Sequence, residues 1–219
     1  MQLVAIGINH TSAPVNIREQ IAFNADKLPS ALASLHLLPG VVEAAIISTC
    51  NRTEIYCHIN DEYDCNIDNW LHEFHQLAPE SLNHYLYRHQ NKDAIQHLFR
   101  VACALDSMVL GEPQILGQIK TAYSQALNSK TIGKSLGRLF QHAFTVAKQV
   151  RTDTEIGSSP VSVAFAAVSL AKQIFSNLAE STALLIGAGE TIELAARHLH
   201  DNGVGRIIIA NRTLERAHT

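Results

Sequence analysis

Apolar and polar positions in the first ninety residues follow strand and helix periods in turn. The predicted elements are, in order, a strand at 2–9, a helix at 29–38, strands at 42–49 and 53–59, a helix at 66–77 and a strand at 83–89. Only Cys50, Asn51 and Arg52 separate the two middle strands, which predicts a hairpin. This β-α-β-β-α-β order is typical of the ferredoxin-like split βαβ arrangement, so we expect an α+β domain.

The apolar spacing becomes helical between residues 91 and 151. Three amphipathic segments are marked by Ala94, Leu98, Val101 and Leu105, by Ile115, Ile119, Ala122 and Ala126, and by Leu136, Phe140, Ala143, Ala147 and Val150. The segment Asp106–Pro113 contains Gly111 and ends in proline, which predicts a loop. Ser159-Pro160 then predicts the start of a helix that runs through Leu178. Its apolar residues lie all round, so we expect burial between domains.

The end of the chain contains one strand-helix-strand unit. An apolar run at 183–189 ends in glycines, a helical pattern follows up to Gly203, and a second apolar run predicts a buried strand at 206–212. This is half of a Rossmann-type domain. We therefore predict an α/β protein with a first domain at 1–155, a connecting helix at 156–178 and an incomplete Rossmann-type domain at 179–219.

Composition and charge narrow the functional class. The chain has 219 residues, 47% of them hydrophobic and 17% charged, and a formal net charge of −3, which excludes disordered and strongly cationic proteins. Residues 54–80 carry acids and no Lys or Arg, whereas 113–151 carry bases and no acid. The second stretch would attract a polyanion, although from charge alone two ordinary solvated faces are the preferred interpretation. No signal peptide or bilayer-length apolar run is found, so we expect a cytoplasmic protein without membrane segments and with reduced cysteines.

Cys50 is the first candidate for chemistry. It lies in the hairpin connection, where a thiol gains no core packing and points outward. Positive charge favours a thiolate, so Arg52 could activate this thiol and also bind an acidic substrate. An isolated cysteine is more often inert. Cys57, by contrast, alternates with apolar strand residues and is predicted to lie in the core.

Histidines offer weaker candidates. His97 lies at the edge of an apolar helical stripe and could face a cleft, although a boundary position without chemistry is the simpler interpretation. His72 and His75 are spaced for one helix face, but no third ligand follows at a suitable spacing. A surface pair is the preferred interpretation, and we predict no metal site.

The glycines that follow the run at 183–186 predict a dinucleotide site. Gly187-Ala188-Gly189 lets backbone approach a pyrophosphate at a helix N-terminus, although Ile192 stands where the third glycine of the fingerprint would be. The second strand ends in Asn211-Arg212-Thr213, without the carboxylate that holds the ribose 2′-hydroxyl of NAD. An arginine pairs with a 2′-phosphate, so NADP is favoured over NAD.

Four segments together resemble the glutamyl-tRNA reductase family, from the first strand to the end of the chain. They are Gly7-Ile-Asn-His-Thr-Ser-Ala-Pro14, Ser48-Thr-Cys-Asn-Arg-Thr-Glu54, Leu110-Gly-Glu-Pro-Gln-Ile-Leu-Gly-Gln118 and Gly187-Ala-Gly-Glu-Thr191. The resemblance implies reduction of glutamyl-tRNA(Glu) to glutamate 1-semialdehyde with NADPH, the first step of the C5 route to 5-aminolevulinate and porphyrins. A thioester accepts hydride more readily than an ester, which explains why such an enzyme uses a cysteine nucleophile.

The resemblance also assigns residues. Cys50 would be the nucleophile, and His97 would polarise the carbonyl or move a proton. The implied substrate-binding residues are Thr49, Asn51, Arg52, Ser107, Glu112, Pro113, Gln114 and Gln118. The implied cofactor residues are Gly187, Ala188, Gly189, Glu190, Thr191 and Ile192, to which the strand-end pattern adds Asn211, Arg212 and Thr213.

Members of this family continue through the rest of the nucleotide domain into a helical dimerisation domain. We therefore expect a homodimer only for the full-length protein, and a 219-residue chain that forms the thioester but reduces it poorly. Delivery of the aldehyde to glutamate-1-semialdehyde aminomutase is a further implied partnership. Two alternatives stay open: a tRNA- or nucleotide-binding scaffold in which Cys50 is structural, and an oxidoreductase similar to shikimate dehydrogenase.

Overall fold

A computed structural model describes residues 2–63, 65–78, 81–157, 163–175 and 177–213. The chain forms two compact units, Met1–Ser158 and Ser159–Thr219. The first unit thus ends three residues after the predicted domain end at 155, and the segment predicted as a connecting helix falls mainly in the second unit. The functional assignment of these domains stays a prediction.

The first unit is built on a four-stranded antiparallel sheet. Its strands are β1 (Gln2–Asn9), β2 (Val41–Ser48), β3 (Arg52–Ile59) and β4 (Tyr87–Gln90), in the spatial order β2-β3-β1-β4. This topology confirms the predicted ferredoxin-like core. The last strand is shorter than predicted and begins at Tyr87 rather than at 83, since residues 81–85 form turns.

Three helices accompany this sheet: α1 (Val15–Gln20), α2 (Leu28–His36) and α3 (Ile67–Phe74). The apolar stripe of α2 is buried through Leu32 and Leu35, as its spacing predicts. The indole N–H of Trp70 in α3 donates to Ser34 Oγ of α2 at 3.1 Å. The sequence analysis missed α1, because six residues are too few to show a helical period.

Three further helices complete the unit: α4 (Lys92–Ala102), α5 (Gln114–Asn128) and α6 (Lys134–Asp153). Their predicted apolar faces are buried, except that Val150 is partly buried and Leu105 is exposed. Leu105 is 41% exposed because α4 ends at Ala102 and Ala104 takes a left-handed backbone conformation with φ +60°. The loop predicted at Asp106–Pro113 is confirmed, and it begins at this turn.

The second unit contains α7 (Val163–Ile174), β5 (Thr182–Ile186), α8 (Glu190–Asp201) and β6 (Arg206–Ala210). Strands β5 and β6 pair in parallel, which confirms the predicted βαβ unit. The start of the helix predicted at Ser159-Pro160 lies outside the described residues.

Two expectations about burial in this unit are wrong. Helix α7 buries Ala164 and Val168 on one face, while Leu170 and Ile174 are 56% and 66% exposed. The strands are not buried either, since Leu184 and Ile186 are exposed. Within residues 163–175 and 177–213 the sheet has only two strands. Strands of a parallel sheet become buried when helices cover both of its faces, and α7 and α8 do not cover this small sheet completely.

Among the described residues, no helix is both long enough and apolar enough to span a bilayer.

Candidate active site

Cys50 is exposed at the tip of a rigid turn between β2 and β3. Thr49 closes this turn: its backbone N–H donates to the carbonyl of Arg52 at 2.8 Å. Its hydroxyl accepts from the backbone N–H groups of Asn51 and Arg52, both at 3.2 Å. The turn therefore presents the thiol outward on a fixed backbone, in agreement with the predicted outward position.

Arg18 of α1 also binds this turn. Its guanidinium donates to the carbonyl of Cys50 and, at 3.2 Å, to Oδ1 of Asn51. A third bond, from Nε to the carbonyl of Ala13 at 3.2 Å, fixes the guanidinium plane. Only 8% of the arginine is exposed. The turn is therefore connected to α1 as well as to its own hairpin.

Glu54 is the centre of a buried hydrogen-bond network on β3. Its side chain is fully buried and receives four donors. Arg52 NH1, the Tyr87 hydroxyl and His97 Nε2 donate to Oε1 at 2.7, 2.6 and 2.9 Å, and the Tyr56 hydroxyl donates to Oε2 at 2.8 Å. A buried carboxylate is tolerated only when its charge is paired and its lone pairs are satisfied, and this one meets both conditions.

The ionisation of this network follows from its contacts. Burial alone would raise the pKa of Glu54, but the hydrogen bond from His97 and the charge of Arg52 hold that pKa far below its usual range. Burial beside this carboxylate raises the pKa of both Tyr56 and Tyr87. Glu54 is thus ionised and can only accept hydrogen bonds, so the proton on His97 Nε2 is fixed in place.

A pocket of about 780 Å³ opens beside this network. His97 lines it together with His89, whose ring stacks on His97 with centroids 4.5 Å apart. Asp106 and Ser107 line the opposite part, and Arg100 holds the Asp106 carboxylate through Nε and NH2 at 3.0 and 2.6 Å. The predicted position of His97 at a cleft is therefore confirmed by the geometry.

Burial lowers the pKa of two histidines that line this pocket. For His10 the positive charges of Arg52 and Arg18 add to the effect of burial, and for His89 the neighbouring His97 does so. Both rings therefore favour the neutral state. A neutral imidazole can donate and accept a hydrogen bond, which suits a pocket for a polar group.

The predicted substrate residues do not all meet at this pocket. Ser107 lines it, with a buried Oγ that has no hydrogen-bond partner among the described residues. Thr49, Asn51 and Arg52 belong to the Cys50 turn and do not line the pocket. Four further predicted residues lie around the start of α5, also outside the lining of the pocket: Glu112, Pro113, Gln114 and Gln118. There the Glu112 carbonyl accepts from Arg151 NH2 at 2.6 Å, so this segment is tied to α6.

Arg52 departs from its predicted role. The sequence analysis expected a guanidinium free to bind a substrate carboxylate, but only 1% of Arg52 is exposed. NH1 pairs with Glu54, and NH2 donates to the carbonyl of Asp106 at 2.6 Å. In this structure the charge of Arg52 is already compensated by Glu54, so Arg52 connects the network to the Asp106 loop.

The sequence-predicted histidine pair also differs. His72 is buried, not on the surface: its Nδ1 lies 2.8 Å from the carbonyl of Asp68, and Nε2 accepts from the N–H of Leu82 at 3.3 Å. His75 packs edge-on against Phe23. Among the described residues, no group of three His, Cys, Asp or Glu side chains is arranged to hold a metal. Cys57 lies in the core as predicted.

The glycine turn of the second unit has the geometry of a phosphate-binding loop. Gly187 has φ +114°, a conformation that favours glycine, and its N–H donates to the carbonyl of Ala210 at 2.7 Å. Gly189 is the N-cap of α8, and a side chain there would meet open space. Ala188, Thr191 and Ile192 complete the turn and the first helical residues; Glu190 begins the helix.

The residues after β6 also fit a phosphorylated ribose. Arg212 and Thr213 are exposed, and the Asn211 side chain donates to the Thr213 carbonyl at 2.7 Å. Arg212 forms no ion pair within residues 163–175 and 177–213. The open helix N-terminus and this unpaired cation suit a nucleotide with two anionic groups.

The sequence analysis missed several site residues: Arg18, Glu54, Tyr56, Tyr87, His89, Arg100 and Asp106. One signal was present for two of them. Arg52, Glu54 and Tyr56 occupy alternate positions of the buried strand β3, so they share one of its faces. Polar groups on a buried strand face need partners, which predicts a network.

The comparisons with known proteins agree with this geometry. Residues 6–154 match the family of glutamyl-tRNA(Glu) reductase N-terminal domains, and residues 169–219 match the family of shikimate / quinate 5-dehydrogenases. The glutamyl-tRNA reductase of Nitrosococcus oceani is 62% identical over 218 residues, which are 100% of this chain and 52% of that protein. The glutamyl-tRNA reductase of Methylococcus capsulatus is 57% identical over 219 residues, again 100% of this chain and 52% of that protein.

A solved structure gives the same relationship. Glutamyl-tRNA reductase from Methanopyrus kandleri is 32% identical and superimposes with a TM-score of 0.63 over 98% of this chain and 50% of that chain. The chain thus spans about half the length of these relatives. Because the first family covers residues 6–154, well over half of the sequence, the chain belongs to the glutamyl-tRNA reductase family.

Proposed function

We propose that this chain carries the acyl-transfer site of an NADPH-dependent glutamyl-tRNA reductase, which converts glutamyl-tRNA(Glu) to glutamate 1-semialdehyde and free tRNA. The observation that carries the proposal is an exposed thiol, Cys50, on a hydrogen-bonded turn four residues before Glu54, the buried carboxylate that binds His97. Family membership supports the same reaction.

The first step is acyl transfer to Cys50. Its sulfur attacks the carbonyl carbon of the ester that joins glutamate to the terminal ribose of the tRNA. A carbon–sulfur bond forms, the carbon–oxygen bond breaks, and the ribose oxygen leaves with a proton. The rigid Thr49–Arg52 turn holds the sulfur in place, which lowers the entropic cost of attack.

The second step is reduction of the thioester. NADPH bound at the Gly187–Ile192 turn and at Asn211–Thr213 would supply a hydride to the carbonyl carbon. The Cys50 sulfur leaves and takes up a proton, so the thiol is regenerated and the aldehyde is released. His97, with Nε2 fixed by Glu54, would stabilise the negative charge that develops on the carbonyl oxygen or transfer a proton.

The remaining predicted residues keep supporting roles in this proposal. Thr49, Asn51, Ser107, Glu112, Pro113, Gln114 and Gln118 would contact the glutamyl group or the end of the tRNA. Arg52 would act on the glutamate carboxylate only by sharing its guanidinium with Glu54. A homodimer, transfer of the aldehyde to glutamate-1-semialdehyde aminomutase and a cytoplasmic location belong to the whole protein.

The two alternatives predict different substrates. A dehydrogenase similar to shikimate dehydrogenase would reduce a free carbonyl acid, and its resemblance is limited to residues 169–219. A scaffold would bind tRNA and reduce nothing. The test is to trap aldehyde with a hydroxylamine probe after mixing the protein and NADPH with glutamyl-tRNA(Glu), free glutamate or shikimate-type acids. A Cys50 thioester or aldehyde formed from the aminoacylated tRNA alone supports the proposal, and formation of neither product contradicts it.

A further inference from the structure

A second pocket lies on the outer side of the first unit, along α6. It has a volume of about 540 Å³ and is lined by polar and basic groups, among them Lys134, Arg138, Gln141 and His142. No Asp or Glu belongs to its lining. Lys134, Arg138, Gln141 and Thr145 recur at four- and three-residue intervals, so they share one face of α6.

The cations of this pocket are available to a ligand. Lys134 and Arg138 are exposed and form no ion pair within the described part of the first unit. Lys120 adds a further charge nearby, with Nζ 5.9 Å above the Phe144 ring. From residue 113 to 151 the sequence contains six Lys or Arg and no acid, so no carboxylate within this stretch competes for them.

One carboxylate, that of Glu43, lies close to the lining of the pocket. Glu43 lies beneath Gly133, but its carboxylate is buried and accepts from the N–H groups of Ser135 and Leu136 at 2.9 and 2.6 Å. Its negative charge therefore stabilises the N-terminus of α6. Gly137 leaves open space where a side chain would stand, and the Tyr123 wall packs against Phe140 and Phe144.

We infer that this pocket, the α6 groove, binds the phosphodiester backbone of the tRNA. The inference rests on the proposed function and specifies which face of the first unit holds the substrate. A row of unpaired cations along one helix matches the regular charge spacing of a phosphate backbone. The groove contributes affinity without reading the base sequence.

The test compares Lys134→Gln/Arg138→Gln with the matched double variant Lys27→Gln/Lys172→Gln, which removes the same charge from exposed positions elsewhere. Dissociation constants for tRNA(Glu) are measured by filter binding between 50 and 200 mM salt. Loss of two phosphate contacts should weaken binding about tenfold at the higher salt and reduce the log–log salt slope by about 2, and the control should match the wild type. Equal affinities and equal salt slopes in both variants would overturn the inference that the α6 groove binds tRNA.

The same measurements separate this inference from the proposed function. Protection of the buried Cys57 and Cys103 from iodoacetamide, as in the wild type, shows that the variants are folded. If the wild-type protein forms neither a Cys50 thioester nor aldehyde from glutamyl-tRNA, the proposed function fails. If it does, and tRNA affinity is insensitive to Lys134 and Arg138, only the α6 groove fails.

Arg18 carries a second inference from a different observation. Its guanidinium is buried and donates to the Cys50 carbonyl, Asn51 Oδ1 and the Ala13 carbonyl. It forms no ion pair among the described residues, so its positive charge is not neutralised by a carboxylate there. A buried cation is costly, and it persists here at the turn that presents the candidate nucleophile.

We infer that Arg18 is a positioning residue for Cys50: it fixes the turn through the Cys50 and Asn51 acceptors. This also rests on the proposed function. Arg18→Gln removes the positive charge and the Nε donor to the Ala13 carbonyl, and its shorter side chain moves the remaining amide donor away from the Cys50 carbonyl and Asn51 Oδ1. It should slow acylation of Cys50 by glutamyl-tRNA at least about tenfold in single-turnover experiments, since misplacement by an ångström can cost a hundredfold.

The control measurements distinguish positioning from folding. Binding of tRNA by Arg18→Gln should stay within twofold of wild type, and Arg18→Lys, which keeps the charge, should recover part of the acylation rate. If Arg18→Gln does not fold, Arg18→Lys alone tests the inference. Its rate of acylation should then lie between the rates of the wild type and of Cys50→Ser. Acylation of a folded Arg18 variant at the wild-type rate would overturn the inference.

Discussion

Two positions on one hairpin, four residues apart, are held in opposite ways. Cys50 is exposed, and it is fixed by bonds from Thr49 and Arg18 to the backbone of its turn. Glu54 is fully buried, and it is fixed by four side-chain donors. The reactive group thus carries little of the stability of the fold, whereas the group that orients His97 carries much of it. Substitutions should therefore separate activity from stability.

The largest expected effect is on activity. Cys50→Ser should reduce aldehyde formation from glutamyl-tRNA by at least about a thousandfold, because it removes the proposed nucleophile. The free energy of unfolding should change by less than about 0.5 kcal/mol, since the side chain is exposed. Single-turnover assays and urea denaturation measure the two quantities. A stability loss as large as that of a core variant would contradict the exposed, unpacked position of this thiol.

The largest expected effect on stability is at the other position. Glu54→Gln leaves the buried Arg52 guanidinium without its counter-charge and should lower the free energy of unfolding by about 3–5 kcal/mol. Urea denaturation of wild type and variant gives this difference. Glu19→Gln, an exposed glutamate in the same unit, is the matched control and should change stability by less than about 0.5 kcal/mol. A neutral result for Glu54→Gln would mean that the network does not hold the fold.

The tyrosine donors should have a smaller effect. Tyr56→Phe and Tyr87→Phe each remove one hydroxyl that donates to the Glu54 carboxylate, at 2.8 and 2.6 Å. Hydrogen bonds to charged groups contribute about 1.5–3 kcal/mol, so each variant should lose stability in that range. Double-mutant cycles with Glu54→Gln should show coupling, because the tyrosines act through the carboxylate. Strictly additive losses would exclude that connection.

The smallest expected effect is a pH dependence at His75. Burial and the charge of Lys27 lower the pKa of His75 to about 4, below the unfolded value near 6.5. Between these values the unfolded chain binds the proton and the folded chain does not, so this histidine makes stability rise with pH from about 4 to 6.5. His75→Gln should flatten the stability profile in that window, and denaturation midpoints across pH measure it. An unchanged profile would contradict the lowered pKa.

Glu54 has its own pH window, below that of His75. Its folded pKa is depressed, so its contribution is complete above the unfolded value near 4.3 and is lost as the pH falls below that value. The profile of Glu54→Gln should lose this acid-side dependence while it keeps the dependence due to His75.

The parts of the molecule that the sequence predicted are those with a regular period. The β-rich runs at 2–9, 42–49 and 53–59 predicted the sheet, and the spacing of Leu98, Val101 and similar residues predicted the helices. Cys50 could be identified as a candidate because a three-residue hairpin connection is recognisable from local sequence alone. Its nearest support, Arg18, lies on a six-residue helix with no readable period.

The rest depended on contacts between distant segments. His97 and Tyr87 meet Glu54 from positions 43 and 33 residues away, and nothing in local spacing encodes that meeting. The burial of Arg52 was not predicted, because sequence spacing did not show that Glu54 would compensate its charge inside the sheet. The burial of His72 was missed because its acceptor role for the Leu82 N–H depends on a turn ten residues later.

The most direct test of the proposed function is to look for glutamate on Cys50. The protein is mixed with glutamyl-tRNA(Glu) in the absence of NADPH, quenched in acid and digested, and the peptide that contains Cys50 is examined by mass spectrometry. We predict a glutamyl adduct on the Cys50 sulfur that hydroxylamine removes, with none on Cys57 or Cys103. Absence of this adduct, or its formation on another cysteine, would contradict the proposal that Cys50 is the nucleophile.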